Sequence, residues 1–389
     1  MHFVSGSQKG IPQLKQQRAR LAVGILFCAL VTYQGSLSAQ SSDNWSFAVS
    51  GDSRNCGDIV MPGIAAGVRN DAAKFYWHLG DYRANYDFDQ DLLAAPEYRS
   101  KHLSIADYQR IEWQDFISQQ VDPFGDIPVY LGIGNHELVP PKTRSDFIQQ
   151  FADWLDSPTI RAQRLSDDPS DHKLRTYNHW IQGGVDFISL DNASYDQFDD
   201  AQVAWIERVL ARDETDANVR SVVVGMHDAL PDSLSTGHGM NESAQMERSG
   251  RRVYQDLLAF RSKTKKYVYV LASHSHFLIE DVYNNVCHPK PESVLPGWIV
   301  GTAGAVRYRL PANLAGAKQA RTDVYGYLLG TVHPNGEIQF AFKEIKPDNI
   351  PTQTVERYGS KQLQACFDEN KSAYAPEGPT CAAGNADGH

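Results

Sequence analysis

Five apolar runs in this 389-residue chain lead into side chains that can bind a metal. Asp52 follows 45-WSFAVS-50, Asp81 follows 74-KFYWHL-79, and Asn135 follows 127-IPVYLGI-133. His227 follows 221-SVVVGM-226, and His274 and His276 follow 267-YVYVLA-272. A single Gly-Asp after an apolar run is usually a turn; five such endings in one chain call for a shared explanation. Two carboxylates, one amide oxygen and three imidazoles can hold two divalent cations, and this oxygen and nitrogen mixture suits Zn, Mn or Fe better than Ca. Two ions about 3.5–4 Å apart can bind a phosphoryl oxygen, acidify a water and stabilise an in-line transition state. The last run reads as a buried strand. If strand geometry continues past it, residues i and i+2 share a side, and the two imidazoles of 274-HSH-276 project together.

The elements that must position these groups alternate between strands and helices. Strands are expected at the runs above and at 185-VDFISL-190, 298-WIVGTAG-304, 325-YGYLLGTVH-333 and 337-EIQFAFKEI-345. Helices are expected near 58–71, 104–120, 199–211 and 245–262. In open α/β sheets ligands gather beyond the carboxyl ends of the strands, which is where the six side chains stand. From Lys346 the chain turns polar, and residues 346–389 read as a C-terminal extension, flexible or tied by a disulfide.

The blocks 51-GD, 80-GD, 134-GNHE, 227-H and 274-HSH, in that order, resemble the calcineurin-like metallophosphoesterase superfamily, which includes purple acid phosphatases and many phosphodiesterases. The resemblance covers residues 45–345 and implies an α/β fold, a two-sheet sandwich flanked by helices, with two metal ions (Fe, Mn or Zn) at the strand ends. It implies Asp52 and His276 as ligands of the first ion and Asp81 as the bridging carboxylate. Asn135, His227 and His274 would hold the second ion. His136 would stand near the leaving-group oxygen as general acid or transition-state stabiliser, with Glu137 behind it, orienting it. Three positions depart from the pattern. The usual Asp-x-His is 52-DSR-54, and Arg54 cannot bind metal. The tyrosine ligand of purple acid phosphatases is Ala84 here, with Tyr82 and Tyr86 out of register. The usual Gly before the final pair is Ser273. Arg54 either grips a phosphate oxygen or is a surface or salt-bridged arginine. His78 reads as a satisfied core histidine and Asp191 as structural; His238, in 233-SLSTGHGMNES-243 directly after the His227 strand, either lines the substrate pocket or belongs to a solvated loop, the reading favoured here.

The N-terminus points to export. Lys9, Lys15, Arg18 and Arg20 precede the apolar 21-LAVGILFCALV-31, and small residues lead to Ala39. Residues 1–39 are expected to be a cleaved signal peptide, leaving a catalytic domain at 40–345 and a secreted or periplasmic product; an uncleaved anchor is the alternative. Cleavage takes the formal charge from −10 to 33 basic against 47 acidic residues, or −14. That argues against stable binding to nucleic acid or an anionic membrane surface. Cys56, Cys287, Cys366 and Cys381 remain, and the short 366–381 loop favours Cys366–Cys381 with Cys56–Cys287. The expected activity is hydrolysis of a small phosphate mono- or diester by attack of a metal-bound hydroxide. A binding protein with a degraded first-metal site and an extracellular nuclease are the alternatives.

Overall fold

A computed structural model of the chain describes residues 43–193, 197–379 and 381; the expected signal peptide lies outside the described residues. Among the described residues, twelve strands form two sheets. They are β1 (Trp45–Ser50), β2 (Tyr76–His78), β3 (Val129–Leu131), β4 (Asn178–Gln182), β5 (Val185–Ser189), β6 (Ser221–Gly225), β7 (Tyr267–Ala272), β8 (Leu278–Glu280), β9 (Gly297–Val300), β10 (Gln319–Arg321), β11 (Tyr325–Val332) and β12 (Ile338–Ile345). One sheet has the order β12-β11-β1-β2-β3, the other β10-β8-β9-β7-β6-β5-β4. β1, β2 and β3 run parallel, as do β5, β6, β7 and β9, while β4, β8, β10, β11 and β12 pair antiparallel.

Side-chain alternation along the strands explains the layering. On β1, Phe47 and Val49 face the other sheet while Ala48 faces helix 57–70. On β7, Tyr269 and Leu271 point between the sheets, and Val268, Val270 and Ala272 point towards helices 200–215 and 244–264. Two-residue periodicity thus gives each sheet two apolar faces, one against the other sheet and one under helices. The expected α/β sandwich flanked by helices is the observed fold. Aromatic rings fill the space between the sheets, among them Trp77, Trp180 and Phe187. Trp180 meets Trp77 edge-on at 5.2 Å and stacks on Tyr130 at 4.0 Å. Gly225 makes this approach possible, since a Cβ there would lie 2.2 Å from the Trp77 ring.

The segment after Lys346 is more ordered than its polar composition suggests. Helices Thr352–Tyr358 and Ser360–Asp368 bring Tyr358 and Cys366 into the core beside helix 57–70. The disulfides are therefore Cys56–Cys366, with Cα atoms 5.8 Å apart, and Cys287–Cys381, at 5.3 Å. This corrects the expected pairing. A short loop favours Cys366–Cys381 only in a chain without structure, whereas the final helices turn Cys366 inward against Cys56 at the start of helix 57–70.

A half-buried ion-pair network around the buried His179 of β4 makes stability depend on pH. His179 Nδ1 lies 2.9 Å from Asp186, its Nε2 lies 2.5 Å from Asp167, and Arg212 reaches Asp167, Asp186 and Asp213. Burial pushes the His179 imidazole down, but Asp186 and Asp167 outweigh burial and raise it from 6.5 to about 9. Its contribution is complete below about pH 6.5 and is lost as the pH rises through about 9. The protein is expected to lose up to about 3 kcal/mol from this group between neutral pH and pH ~10. Denaturant midpoints of wild type and His179→Gln across that range test it; equal pH slopes in the two proteins would sink the idea.

Candidate metal centre

The carboxyl ends of β1, β2, β3, β6 and β7 converge on one pocket. Each turns sharply there, and Asp52, Asp81 and His274 adopt left-handed backbone, with φ of 62°, 61° and 62°. Such a conformation costs a non-glycine residue about 1 kcal/mol or more. The turn at His274 changes one expectation. β7 ends at Ala272, so the two final histidines enter the pocket from a bend rather than by strand alternation.

Asp52, Asp81, His227 and His274 are buried, and one ligand atom from each lies within 4.8 Å of every other. Around His227 the packing is closer. Its Nε2 is 3.3 Å from Asp81 Oδ1, 3.0 Å from Asn135 Oδ1 and 3.0 Å from His274 Nδ1. Donors bound at about 2.1 Å to a single ion stand roughly 3 Å from one another, so this spacing fits one cation. The remaining ring nitrogens face oxygen atoms behind them. His227 Nδ1 lies 3.0 Å from the Leu79 carbonyl, and His274 Nε2 lies 3.5 Å from Asp228 Oδ1. The Leu79 carbonyl fixes the His227 tautomer that leaves the inward nitrogen free to bind, whereas the longer His274–Asp228 contact is not a hydrogen bond. Two carboxylate oxygens, Asp52 Oδ1 and Asp81 Oδ2, are buried without a hydrogen bond, a costly arrangement unless a cation satisfies them.

His276 and Arg54 occupy the other side. His276 Nε2 is 3.3 Å from Asp52 Oδ1 and 3.2 Å from Arg54 Nη2. Arg54 is 6% exposed and so is no surface residue. Its Nε lies 3.8 Å from Asp81 Oδ2, and its Nη atoms donate to the Tyr86 and Tyr308 hydroxyls at 3.3 and 3.4 Å. His136 Nε2 sits 3.7 Å from Asp81 Oδ2, with its Nδ1 2.7 Å from the Ala84 carbonyl. That carbonyl orients the ring, which corrects the role expected of Glu137. The Glu137 carboxylate instead accepts from the backbone N–H groups of Asp81, Tyr82 and Gly134 at 2.8–2.9 Å, clamping the turn that carries Asp81 to the turn that carries Asn135.

Among solved structures, the chain matches the purple acid phosphatase PPD1 from yellow lupin (Lupinus luteus) seeds with a TM-score of 0.53 and 16% identity, covering 86% of this chain and 57% of the lupin chain. The chain shares the fold of that purple acid phosphatase. PhoD also matches, with a TM-score of 0.48 and 16% identity over 77% of this chain and 68% of that one. So does GAP50, the anchor in the inner membrane complex of Plasmodium, with a TM-score of 0.44 and 10% identity over 87% and 98%. No protein-family model and no curated protein matches the chain.

Within this fold the pocket's charges are sharply sorted. Burial raises the Asp81 carboxyl, but His136, His227 and Arg54 outweigh burial and hold it well below the usual range. Asp52 is likewise lowered, with His276 and His227 overcoming burial. Burial, then the Arg54 charge, lowers His276 and takes His136 down to about 4. Burial, then His238 and His227, keeps His274 well below its ordinary value. His227 is the exception: burial lowers it, yet Asp81 and Asp52 raise it to about 10. Anionic carboxylates and neutral imidazoles are the protonation states that bind metal, and a cation at His227 displaces its proton.

The structure decides one open reading and adds residues that were not picked out from the sequence. His238 stacks on His274 with centroids 3.7 Å apart, and its loop is largely buried from Asp228 to Thr236, which corrects the solvated-loop reading. Tyr308 stacks on His276 at 4.0 Å. Asn192 Oδ1 accepts from the His227 and Asp228 N–H groups at 3.1 Å. Its place after β5 was the available signal, and for His238 the loop that directly follows the His227 strand; Tyr308 had none, since a loop brings it in. His78 is satisfied in the core, between Ser53 Oγ at 2.9 Å and the Gly80 N–H at 3.2 Å. Asp191 is structural, bound by Arg144 and Thr176.

Proposed function

We propose that the protein is an exported, cation-dependent phosphoric ester hydrolase acting on a small mono- or diester. The observation that carries this is the convergence of Asp81, Asn135, His274 and His227 at metal-ligand spacing, beside buried carboxylate oxygens that accept no hydrogen bond. In this reading Asp81, Asn135, His227 and His274 hold a divalent or trivalent transition-metal ion, with Asp52 and His276 beside them. A bound ion supplies Lewis acidity, polarising a phosphoryl oxygen and lowering the pKa of a water.

The chain's own residues do the rest. Arg54 offers N–H groups to the non-bridging phosphoryl oxygens. His136 stands next to Asp81; in the neutral ring its Nε2 carries the lone pair, and only as the imidazolium does it offer an N–H to the departing oxygen. Ala84 fixes its Nδ1, so that Nε2 is the nitrogen facing the reaction. Tyr86 and Tyr308 hold the guanidinium in place. No side chain is required as nucleophile, and no phospho-enzyme is expected. Export rests on the basic and apolar N-terminus together with the two disulfides, which persist in oxidising compartments. Among the described residues no helix is long and apolar enough to cross a membrane.

The test is a panel of generic phosphate mono- and diesters assayed with Mn, Zn and Fe, paired with metal quantification on the same samples. Bound metal with metal-dependent turnover supports the proposal. Bound metal without turnover on any ester favours a binding protein. Gly134 gives a second test, because a Cβ there would lie 2.3 Å from Asp81 Oδ1. Gly134→Ala is expected to lower metal affinity and kcat/KM at least about tenfold, or ~1.4 kcal/mol. Unchanged values would show that the position of Asp81 does not matter.

A further inference from the structure

We propose that Arg54 is a resident cation standing where a second metal would be held, so that the chain binds a single metal ion, at Asp81, Asn135, His227 and His274. This rests on the cation-dependent reading above and replaces the two ions that the resemblance implies.

The tautomer of His276 is the first observation. Its Nδ1 lies 2.6 Å from the Val306 carbonyl, so the proton sits on Nδ1 and Nε2 carries the lone pair. That lone pair meets Arg54 Nη2 at 3.2 Å, an N–H donor rather than an open coordination position. Asp52 Oδ1 stands 3.3 Å from the same Nε2. Two electron-rich atoms at that distance need positive charge beside them, and the guanidinium supplies it.

Arg54 is also built into this position. Tyr86 and Tyr308 accept from its two Nη atoms, the Tyr308 ring stacks on His276, and Nε faces Asp81 Oδ2 at 3.8 Å. The chain around it is anchored by the neighbouring Cys56–Cys366 disulfide. An ion bound to His276 Nε2 at about 2.1 Å would press directly against a guanidinium nitrogen in a buried site, where like charges repel strongly. The positive charge of the guanidinium and one divalent ion already exceeds the negative charge of Asp52 and Asp81. The other half of the pocket shows the contrast: around His227 Nε2 the neighbours at 3.0–3.3 Å are Asp81, Asn135 and His274, all able to act as ligands, with no arginine among them.

The test counts ions. The full mature chain is loaded with Mn(II) or Zn(II), dialysed, and analysed by elemental mass spectrometry, with EPR of the Mn(II) form as a second readout. The expected result is about one ion per chain and a Mn(II) signal free of exchange coupling. His276→Ala is expected to keep that ion, and His274→Ala to lose it. Arg54→His is expected to take up about two ions and to give an exchange-coupled Mn(II) pair. Two ions in the wild type, loss of the ion in His276→Ala, or a folded Arg54→His protein that still binds one, would each overturn the inference. Should Arg54→His not fold, the wild-type count and His276→Ala decide. A wild type that holds no ion at all after reconstitution overturns the cation-dependent reading itself and is distinct from the two-ion result.

Discussion

Asp81→Asn is expected to strip the protein of metal and to lower phosphoester kcat/KM by at least about a thousandfold, some 4 kcal/mol of transition-state stabilisation. Asp81 touches every part of the pocket. One oxygen faces His227 at 3.3 Å and accepts from the His136 N–H at 3.0 Å; the other faces Arg54 and His136 at 3.8 and 3.7 Å. The amide keeps the shape and removes the charge, so the fold is expected to survive while the cation loses its anionic partner. His227 reports the change independently. Its imidazole stands near 10 chiefly because Asp81 outweighs burial, and in the metal-free variant it is expected to titrate markedly lower, by NMR. Retained metal with undiminished turnover in Asp81→Asn would refute the assignment of this pocket as the reactive site.

Replacing Cys56 and Cys366 together by Ala is expected to cost about 5 kcal/mol of stability. The bridge closes a loop of 310 residues, and in the chain-entropy model a loop that long constrains the unfolded chain about as much as a disulfide can. The effect is also local. Cys56 begins helix 57–70, two residues after Arg54, and its N–H lies 3.2 Å from the Gly304 carbonyl. Loss of the bridge therefore loosens both the final helices and the turn that carries Asp52 and Arg54. Denaturant unfolding of the double variant checks the first part, and its substrate KM checks the second. A loss below about 1 kcal/mol would mean that packing of Tyr358 and its neighbours holds the final helices without the disulfide.

The sequence by itself determined the sheets and the location of the pocket. Near-continuous apolar runs become strands covered on both faces, and their polar endings gather at one rim of the sheets. That much follows from burial and chain geometry, which act locally and leave a pattern. The same logic made Asp52, Asp81, Asn135, His227 and His274 legible as a group, because each stands at the end of a strong strand signal.

What only the tertiary structure decided depends on contacts between distant segments. Arg54 reads from sequence as a gap in a motif. In the folded chain it is a buried guanidinium held by Tyr86, Tyr308 and His276, from segments up to 254 residues away. Glu137 reads as a support for its neighbour His136 but fastens two turns together through three backbone N–H groups. His238 lies in a polar stretch with no periodicity, and only the packing of its loop over His274 brings it to the pocket. The disulfides followed the same rule. Cys366 pairs with Cys56 because an amphipathic helix at the end of the chain found the outer face of the first helix, and no loop length in the sequence encodes that encounter. Periodicity is written along the chain, whereas the partners of a buried charge or a thiol are set by which surfaces meet once the sheets have closed.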